Sequence, residues 1–360
     1  MVKVILIAFL FLLNFSSCSP SKNEIGQKEL MGWIWLSDHH TNDYHFIFNK
    51  LKEYGFDGVL LSASPQRTKE IIPTAEKYNI QVHSWKWIMN SVNIDLLRKN
   101  PNWASVNRLG VSTLESPPYV SYYRFLCPAL PEVREYIYDN IDDYLEIDGL
   151  RGLSLDYCRY VDVILPEKLW EKYGIVQDKE YPEWDYGYHS YLINLFKDKY
   201  GYDPRVLENP AIDSQWVQFR ELQVNEIAWE IARMTRTSGK QISASPFPTP
   251  SLARKHVRQD WGSWDLDMVF PMIYSSFYKE GGESWFLQCI EECQESMSDK
   301  NTLVFPGIFA EGHRGNEFSL AKALKITLES GSTGFAIFSY ESLNEEEWSI
   351  IKSFTHKYRK

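Results

Sequence analysis

Eight short apolar runs recur along this chain, and most are followed by an amphipathic stretch of helical period. The runs fall at 31–37, 57–63, 80–87, 152–156, 241–246, 268–274, 302–309 and 334–340. The helical stretches fall at 43–54, 66–78, 131–146, 214–237, 284–297, 317–330 and 344–357. Strand and helix in alternation argue for a parallel sheet covered by helices. An open doubly wound sheet would normally carry a glycine-rich phosphate turn after its first strand, and none follows residue 37. The reading is therefore an α/β chain folded as a single (β/α)8 TIM barrel with long loops after strands 3 and 4. Those loops are 89–130 and 161–210, both rich in Tyr, Trp or Pro.

The first residues stand apart from this rhythm. Lys3 precedes the apolar run 4–13, and Phe15-Ser16-Ser17-Cys18 follows. A charged start, a short apolar core and small residues describe an export signal, with an apolar run too short to span a bilayer comfortably. Cys18 after two serines resembles a lipobox, which implies residues 1–17 as a lipoprotein signal peptide and Cys18 as the lipidated residue. Residues 18–29 read as a polar tether and 30–360 as the barrel. The expected location is the bacterial envelope, anchored by lipid at the periplasmic face or the cell surface of the outer membrane. The remaining cysteines, Cys127, Cys158, Cys289 and Cys293, show no zinc-type spacing and read as free buried thiols, with a Cys127–Cys158 bridge as the alternative.

Composition narrows the function. The net charge is −10 and no basic run breaks the pattern, which argues against a nucleic-acid partner. The chain carries 13 Trp, 22 Tyr and 19 Phe, more rings than a core of this size needs. The excess suits a sugar cleft, where flat rings stack on the apolar faces of pyranose units.

In a barrel of this type the chemistry gathers at the C-terminal ends of the strands. Strand one offers Trp35, Asp38, His39 and His40; strand two, Ser62 and Ser64; strand three, His83, Trp85 and Trp87. Strand four, Gly152-Leu-Ser-Leu-Asp156-Tyr157-Cys158-Arg159, ends abruptly on an acid, an aromatic and a base. Strand five gives Ser245 and Phe247, strand six Tyr274, strand seven Glu311 and His313, strand eight Tyr340 and Glu341. Acids among aromatics are the chemistry of glycoside hydrolysis, in which two carboxyl groups flank the scissile bond. Asp156 and Glu311 are the expected catalytic pair, with Glu341 and Asp38 as fallbacks for the second position. Trp35, Asp38, His83, Trp85, Tyr157, Arg159, Tyr274, Tyr340 and Glu341 are the expected substrate contacts. Asp156 has a plainer reading as the salt-bridge partner of Arg159. Trp33, Trp35, Trp85 and Trp87 alternate along two strands, so two of the four are expected to face the helices. No cofactor and no metal is expected, although His39, His40 and His83 keep a metal-dependent hydrolase as a third reading.

Several ordered segments carry a resemblance. They are Phe125-Leu-Cys-Pro-Ala-Leu-Pro-Glu-Val-Arg134, Gly152 to Tyr160, Trp216-Val-Gln-Phe-Arg220, Gln259-Asp-Trp-Gly-Ser-Trp264 and Asp267-Met-Val-Phe-Pro-Met-Ile-Tyr274. Together they resemble the glycoside-hydrolase-like family ten, a barrel family common in bacterial lipoproteins. The resemblance covers nearly the whole mature chain and implies a glycosidase-related barrel with Asp156 as the carried-over acid. It says nothing of the second carboxylate. Ser154 stands where the family often has His, and Val161 where Pro is frequent. The first departure leaves room for a sugar-binding lipoprotein that has lost catalysis. The expected partner is thus a poly- or oligosaccharide, cleaved in the first reading and only bound in the second.

Overall fold

A computed structural model describes residues 30–39 and 42–359 of the chain. Cys18, the signal segment, the tether and His40 lie outside the described residues. Nine parallel strands form one sheet: β1 (Met31–Ser37), β2 (Gly58–Ser62), β3 (Gln81–Trp87), β4 (Gly152–Asp156), β5 (Gln241–Ala244), β6 (Met268–Val269), β7 (Leu303–Val304), β8 (Gly307–Phe309) and β9 (Gly334–Phe338). Their order is β7-β6-β5-β4-β3-β2-β1-β9-β8.

The strands at the two ends of that order are halves of one segment. Phe305 and Pro306 separate them, and proline has no N–H to give the ladder. Pairing nevertheless continues through the break. Phe305 N–H donates to Val269 O (2.9 Å), Gly307 N–H to Pro271 O (2.8 Å), and Ala336 N–H to Pro306 O (3.0 Å). The seventh segment thus touches the sixth on one side and the eighth on the other, and the sheet closes as a TIM barrel. The regular sixth strand is shorter than its apolar run, because Pro271 lacks an N–H, and beyond Val269 only single contacts such as Met272 N–H to Pro246 O (2.9 Å) continue the pairing. Tyr274, read from sequence as its last residue, therefore sits in the loop beyond.

Helices cover the outside: α1 (Tyr44–Glu53), α2 (Pro65–Lys77), α3 (Ile94–Lys99), α4 (Pro131–Leu145), α5 (Trp170–Tyr173), α6 (Ser190–Tyr200), α7 (Ser214–Thr237), α8 (Pro250–Val257), α9 (Glu283–Ser296), α10 (Leu320–Glu329) and α11 (Glu345–Tyr358). Their starts follow side-chain chemistry. Asp43 accepts from Phe46 N–H at α1, and Asn344 with Glu347 forms a reciprocal cap at α11. Helix α8 is absent from the sequence reading. It is eight residues long, too short for a clear period, though Thr249 before Pro250 is a start signal. Helices α3, α5 and α6 lie within the two long loops.

Two apolar layers result. One packs the strands' outer faces against the helices, and the other fills the barrel with Trp33, Trp35, Leu60, Met268, Phe270, Phe305 and Ala336. Residues two apart on a strand share a face. Trp33 and Trp35 therefore both point inward, as do Trp85 and Trp87, and none of the four joins the helix layer. Cys127, Cys158, Cys289 and Cys293 are free and buried. No helix among the described residues is long and apolar enough to cross a membrane.

Close packing decides one position on β4. A Cβ at Gly152 would lie 2.4 Å from Gln241 O and 2.8 Å from His83 Nε2. Gly152→Ala is expected to destabilise the fold by about 1–3 kcal/mol, the usual range for overpacking. A urea melt checks this, and an unchanged midpoint would show that the barrel floor yields freely.

Candidate active site

The site begins where β4 runs out. Asp156 is level with Trp87 of β3 in the register. Tyr157 then adopts φ 48°, a left-handed conformation that bulky residues rarely take and that costs free energy. The turn folds the next backbone amide onto the acid. Tyr157 N–H donates to Asp156 Oδ1 (2.6 Å), and Trp85 Nε1–H donates to Oδ2 (2.9 Å). Both carboxyl oxygens are thereby held. The residue is only 5% exposed. Burial raises its pKa to about 6, against the pull of the Tyr157 amide, the Arg159 charge and the Trp85 indole.

Arg159 does not answer this charge directly. Its Nη1 donates to Asp162 Oδ2 (3.0 Å) and to Tyr160 O (2.9 Å). Its guanidinium lies over the rings of Tyr157 (4.7 Å) and Phe247 (5.1 Å). The ion pair expected between Asp156 and Arg159 is therefore replaced by a buried Arg159–Asp162 pair.

Above these groups opens a cavity of ≈ 370 Å³. Trp85, Trp87, Tyr157, Tyr274, Phe309 and Phe338 line it from the strand ends. The first long loop adds Tyr119, Tyr122 and Tyr123, and the second adds Leu169, Lys172 and Tyr173. Polar contacts tie the two loops together. Tyr119 O–H donates to Asp162 O (2.7 Å), while Gln177 donates to the Tyr119 hydroxyl (2.7 Å) and accepts from Leu165 N–H (2.7 Å). Tyr274 presents a buried hydroxyl with no hydrogen-bond partner, and burial together with the Asp156 charge holds that phenol well above its ordinary range. An orphaned hydroxyl in a cavity wall is a ready partner for a ligand oxygen.

Asp156 and Asp162 are the acids among the described lining residues. The cavity also takes in Trp85, Tyr157, Arg159 and Tyr274 from the expected substrate contacts, and leaves the others elsewhere. Trp35 is 1% exposed and packs on Phe270 and Phe338 inside the barrel. His83 is level with Gly152, at the start of β4 rather than its end. There it bonds Ser243 Oγ (2.9 Å) and Gln241 Oε1 (3.3 Å), and burial lowers its pKa to about 4. Asp38 accepts from Tyr44 O–H (2.6 Å) and from Arg67 Nε (3.0 Å), joining β1 to α1 and α2. Tyr340 packs against Trp348 of α11. Glu341 accepts from Ser37 N–H (2.6 Å). Glu311 is 42% exposed, pairs with Arg314 (3.2 Å) and is not part of the lining. His39 is exposed, and no metal-holding group of three or more His, Cys, Asp or Glu occurs among the described residues.

Asp162 escaped the sequence reading. Its spacing of three from Arg159 was the available signal, but a lone acid in a loop gives no hint of depth. Removing one hydrogen bond tests the assigned electrostatics. Trp85→Phe takes away a donor that favours the ionised acid, so the Asp156 pKa is expected to rise further. Carbon-detected NMR titration of the Asp156 carboxyl measures it, and a downward shift contradicts the geometry.

No family model matches the sequence, and no curated protein matches it either. The fold does have neighbours of known structure. A beta-galactosidase from the psychrophilic Marinomonas ef1 aligns with TM-score 0.61 and 11% identity, over 91% of this chain and 59% of that one. An exo beta-N-acetylglucosaminidase from Vibrio harveyi aligns with TM-score 0.52 and 9% identity, over 91% and 54%. An alpha-galactosidase from Geobacillus stearothermophilus in complex with raffinose aligns with TM-score 0.51 and 12% identity, over 92% and 41%–42% across related structures of such enzymes. The chain thus spans little more than half the length of these enzymes, or less. These neighbours are named as glycoside hydrolases, and at such identity the likeness shows the barrel fold alone.

Proposed function

We propose that this protein is a glycoside hydrolase acting on a poly- or oligosaccharide, with Asp156 as general acid. The observation that carries the reading is one buried carboxyl, with a pKa of about 6, beneath an aromatic-lined cavity at the barrel mouth. A general acid must hold its proton until the leaving oxygen develops charge, and a raised pKa serves that need. The rings of Trp87 and Tyr157 offer stacking surfaces for pyranose units, and the free hydroxyl of Tyr274 offers a hydrogen bond.

The partner carboxylate in this reading is Asp162 rather than Glu311, because Asp162 lines the cavity with Asp156 while Glu311 faces Arg314. A separation of about 5–5.5 Å would give retention, and about 6.5–9.5 Å inversion. The Arg159 contact to Asp162 favours a second reading, a carbohydrate-binding protein without catalysis, since a buried ion pair on one of its two oxygens holds that carboxylate back from attack or from activating water. A panel of galactosides, N-acetylglucosaminides and plant polysaccharides separates the two. New reducing ends support the enzyme; binding without cleavage supports the binding protein.

The resemblance to glycoside-hydrolase-like family ten and the lipid anchor belong to the same proposal. A multiply acylated Cys18 would hold the barrel on the envelope, because one acyl chain binds only marginally. Cys18→Ser is then expected to move the protein from the membrane fraction to the soluble one. Unchanged fractionation would remove the anchor.

A further inference from the structure

A second cavity, of ≈ 420 Å³, lies on the other face of β3, towards α4. Trp85 and Trp87 border it as they border the mouth. Alternation along β3 sends those two rings inward and Lys86 outward. The lining contains one charged residue, Lys86, and no acid.

The Lys86 ammonium is poorly answered. Its Nζ donates to the Tyr144 hydroxyl (2.7 Å) and lies 4.3 Å from the centre of that ring. The Tyr144 proton is committed to Ala63 O (2.8 Å), so the phenol serves Lys86 as acceptor alone. An ammonium has three protons to place, and burial without a carboxylate partner sets its electrostatics, with no acid in the lining among the described residues. Nearby, Asn90 accepts from Arg124 N–H (2.9 Å) through Oδ1, while its buried Nδ2 has no partner. The cavity therefore offers donors in surplus and a single positive charge. A half-desolvated cation without a counter-charge is costly, and burial lowers the Lys86 pKa to about 8. An anion would remove that cost. The other walls mix the Tyr136 ring, the Asn93 and Asn140 amides and the Ser62 hydroxyl with aliphatic Ile88, Val92, Leu126, Ile137 and Ile141, and polar edges beside apolar faces suit a sugar better than a bare ion.

We infer that this cavity is an accessory subsite for an anionic sugar unit, whose carboxylate or sulfate is set against Lys86, so that the glycan handled at the mouth is an acidic one. The inference rests on the carbohydrate reading above. It does not require catalysis. If Lys86 only braced Tyr144, charge on the sugar would make no difference.

The test is calorimetric titration of the full chain with glucuronate, glucose 6-sulfate, glucose and inorganic sulfate. Wild type and Lys86→Met are compared. At least one sugar acid is expected to bind wild type and to lose about tenfold or more in affinity in Lys86→Met, as a charge-assisted bond requires. Glucose is expected to bind more weakly by a similar factor. Equal binding of glucose, equal binding of inorganic sulfate, or full affinity in Lys86→Met would each overturn the subsite. A measurement on wild type alone covers a variant that does not fold. Acetylation of the Lys86 amine by acetic anhydride, read by mass spectrometry, should slow with the sugar acid and not with glucose; absence of protection also overturns it. Hydrolysis of a neutral glycan with no sugar-acid binding removes this subsite and leaves the enzyme. Sugar-acid binding lost in Lys86→Met with no glycan cleaved removes the enzyme and leaves the subsite.

Discussion

Asp156→Asn is expected to lower kcat/KM on a cleaved glycan by about 10²–10⁴-fold, the usual contribution of a positioned acid. The substitution keeps the volume of the side chain and an oxygen to accept from Tyr157 N–H or Trp85 Nε1–H. It removes the titrating proton. In wild type the acid must be protonated to act, so activity should fall as pH rises through about 6. That alkaline limb should vanish in the variant. The size of the loss should also depend on the leaving group. A nitrophenolate departs with little help, so a nitrophenyl glycoside should lose less than a natural disaccharide. A nucleophile in the same place would show no such relief. Steady-state kinetics on both substrates across pH 4–9 decides it, and near wild-type turnover on the disaccharide would remove Asp156 from the chemistry.

Much of this arrangement could be read before any coordinates. Strand β4 ends at Asp156 as its alternation and the following Tyr-Cys-Arg suggested, and α7 spans the residues its period marked. Strong local patterns survive because packing agrees with them. The failures share a physical cause. A sequence marks which face of a strand a residue takes, but not how deep it lies along the barrel axis. Depth is set by register between strands. His83 and Trp87 share a face of β3, yet His83 is level with Gly152 and Trp87 with Asp156. One is floor and the other wall. Trp35 fails in the same way. Loop acids fail differently. Asp38, Glu311 and Glu341 all follow strand ends, but Arg67, Arg314 and the Ser37 amide hold them away from the cavity. Those partners lie far away in sequence or behind a turn whose direction no short motif records. Asp162 was missed for the converse reason, since its place depends on the long loop folding back onto Arg159.

The same raised pKa that suits Asp156 for acid chemistry should leave a mark on stability. Its pKa goes from 3.8 to about 6 on folding, so the folded state binds the proton more tightly. The resulting stabilisation is fully present below the unfolded pKa and is lost as pH rises through about 6. At about 1.4 kcal/mol per pH unit, the loss comes to about 3 kcal/mol. Other groups titrate over the same range; burial raises Glu221 to about 7, for example. They are common to wild type and Asp156→Asn and cancel in the difference. The hydrogen bond weakened by the amide is a fixed cost, independent of pH. The stability of the variant relative to wild type should therefore climb by about 2–2.5 kcal/mol between pH 4 and pH 8, whatever its starting value, the rest of the change lying below pH 4. Urea melts of both proteins at several pH values measure this. A flat difference would mean that water reaches the carboxylate freely, and the case for Asp156 as a buried acid would go with it.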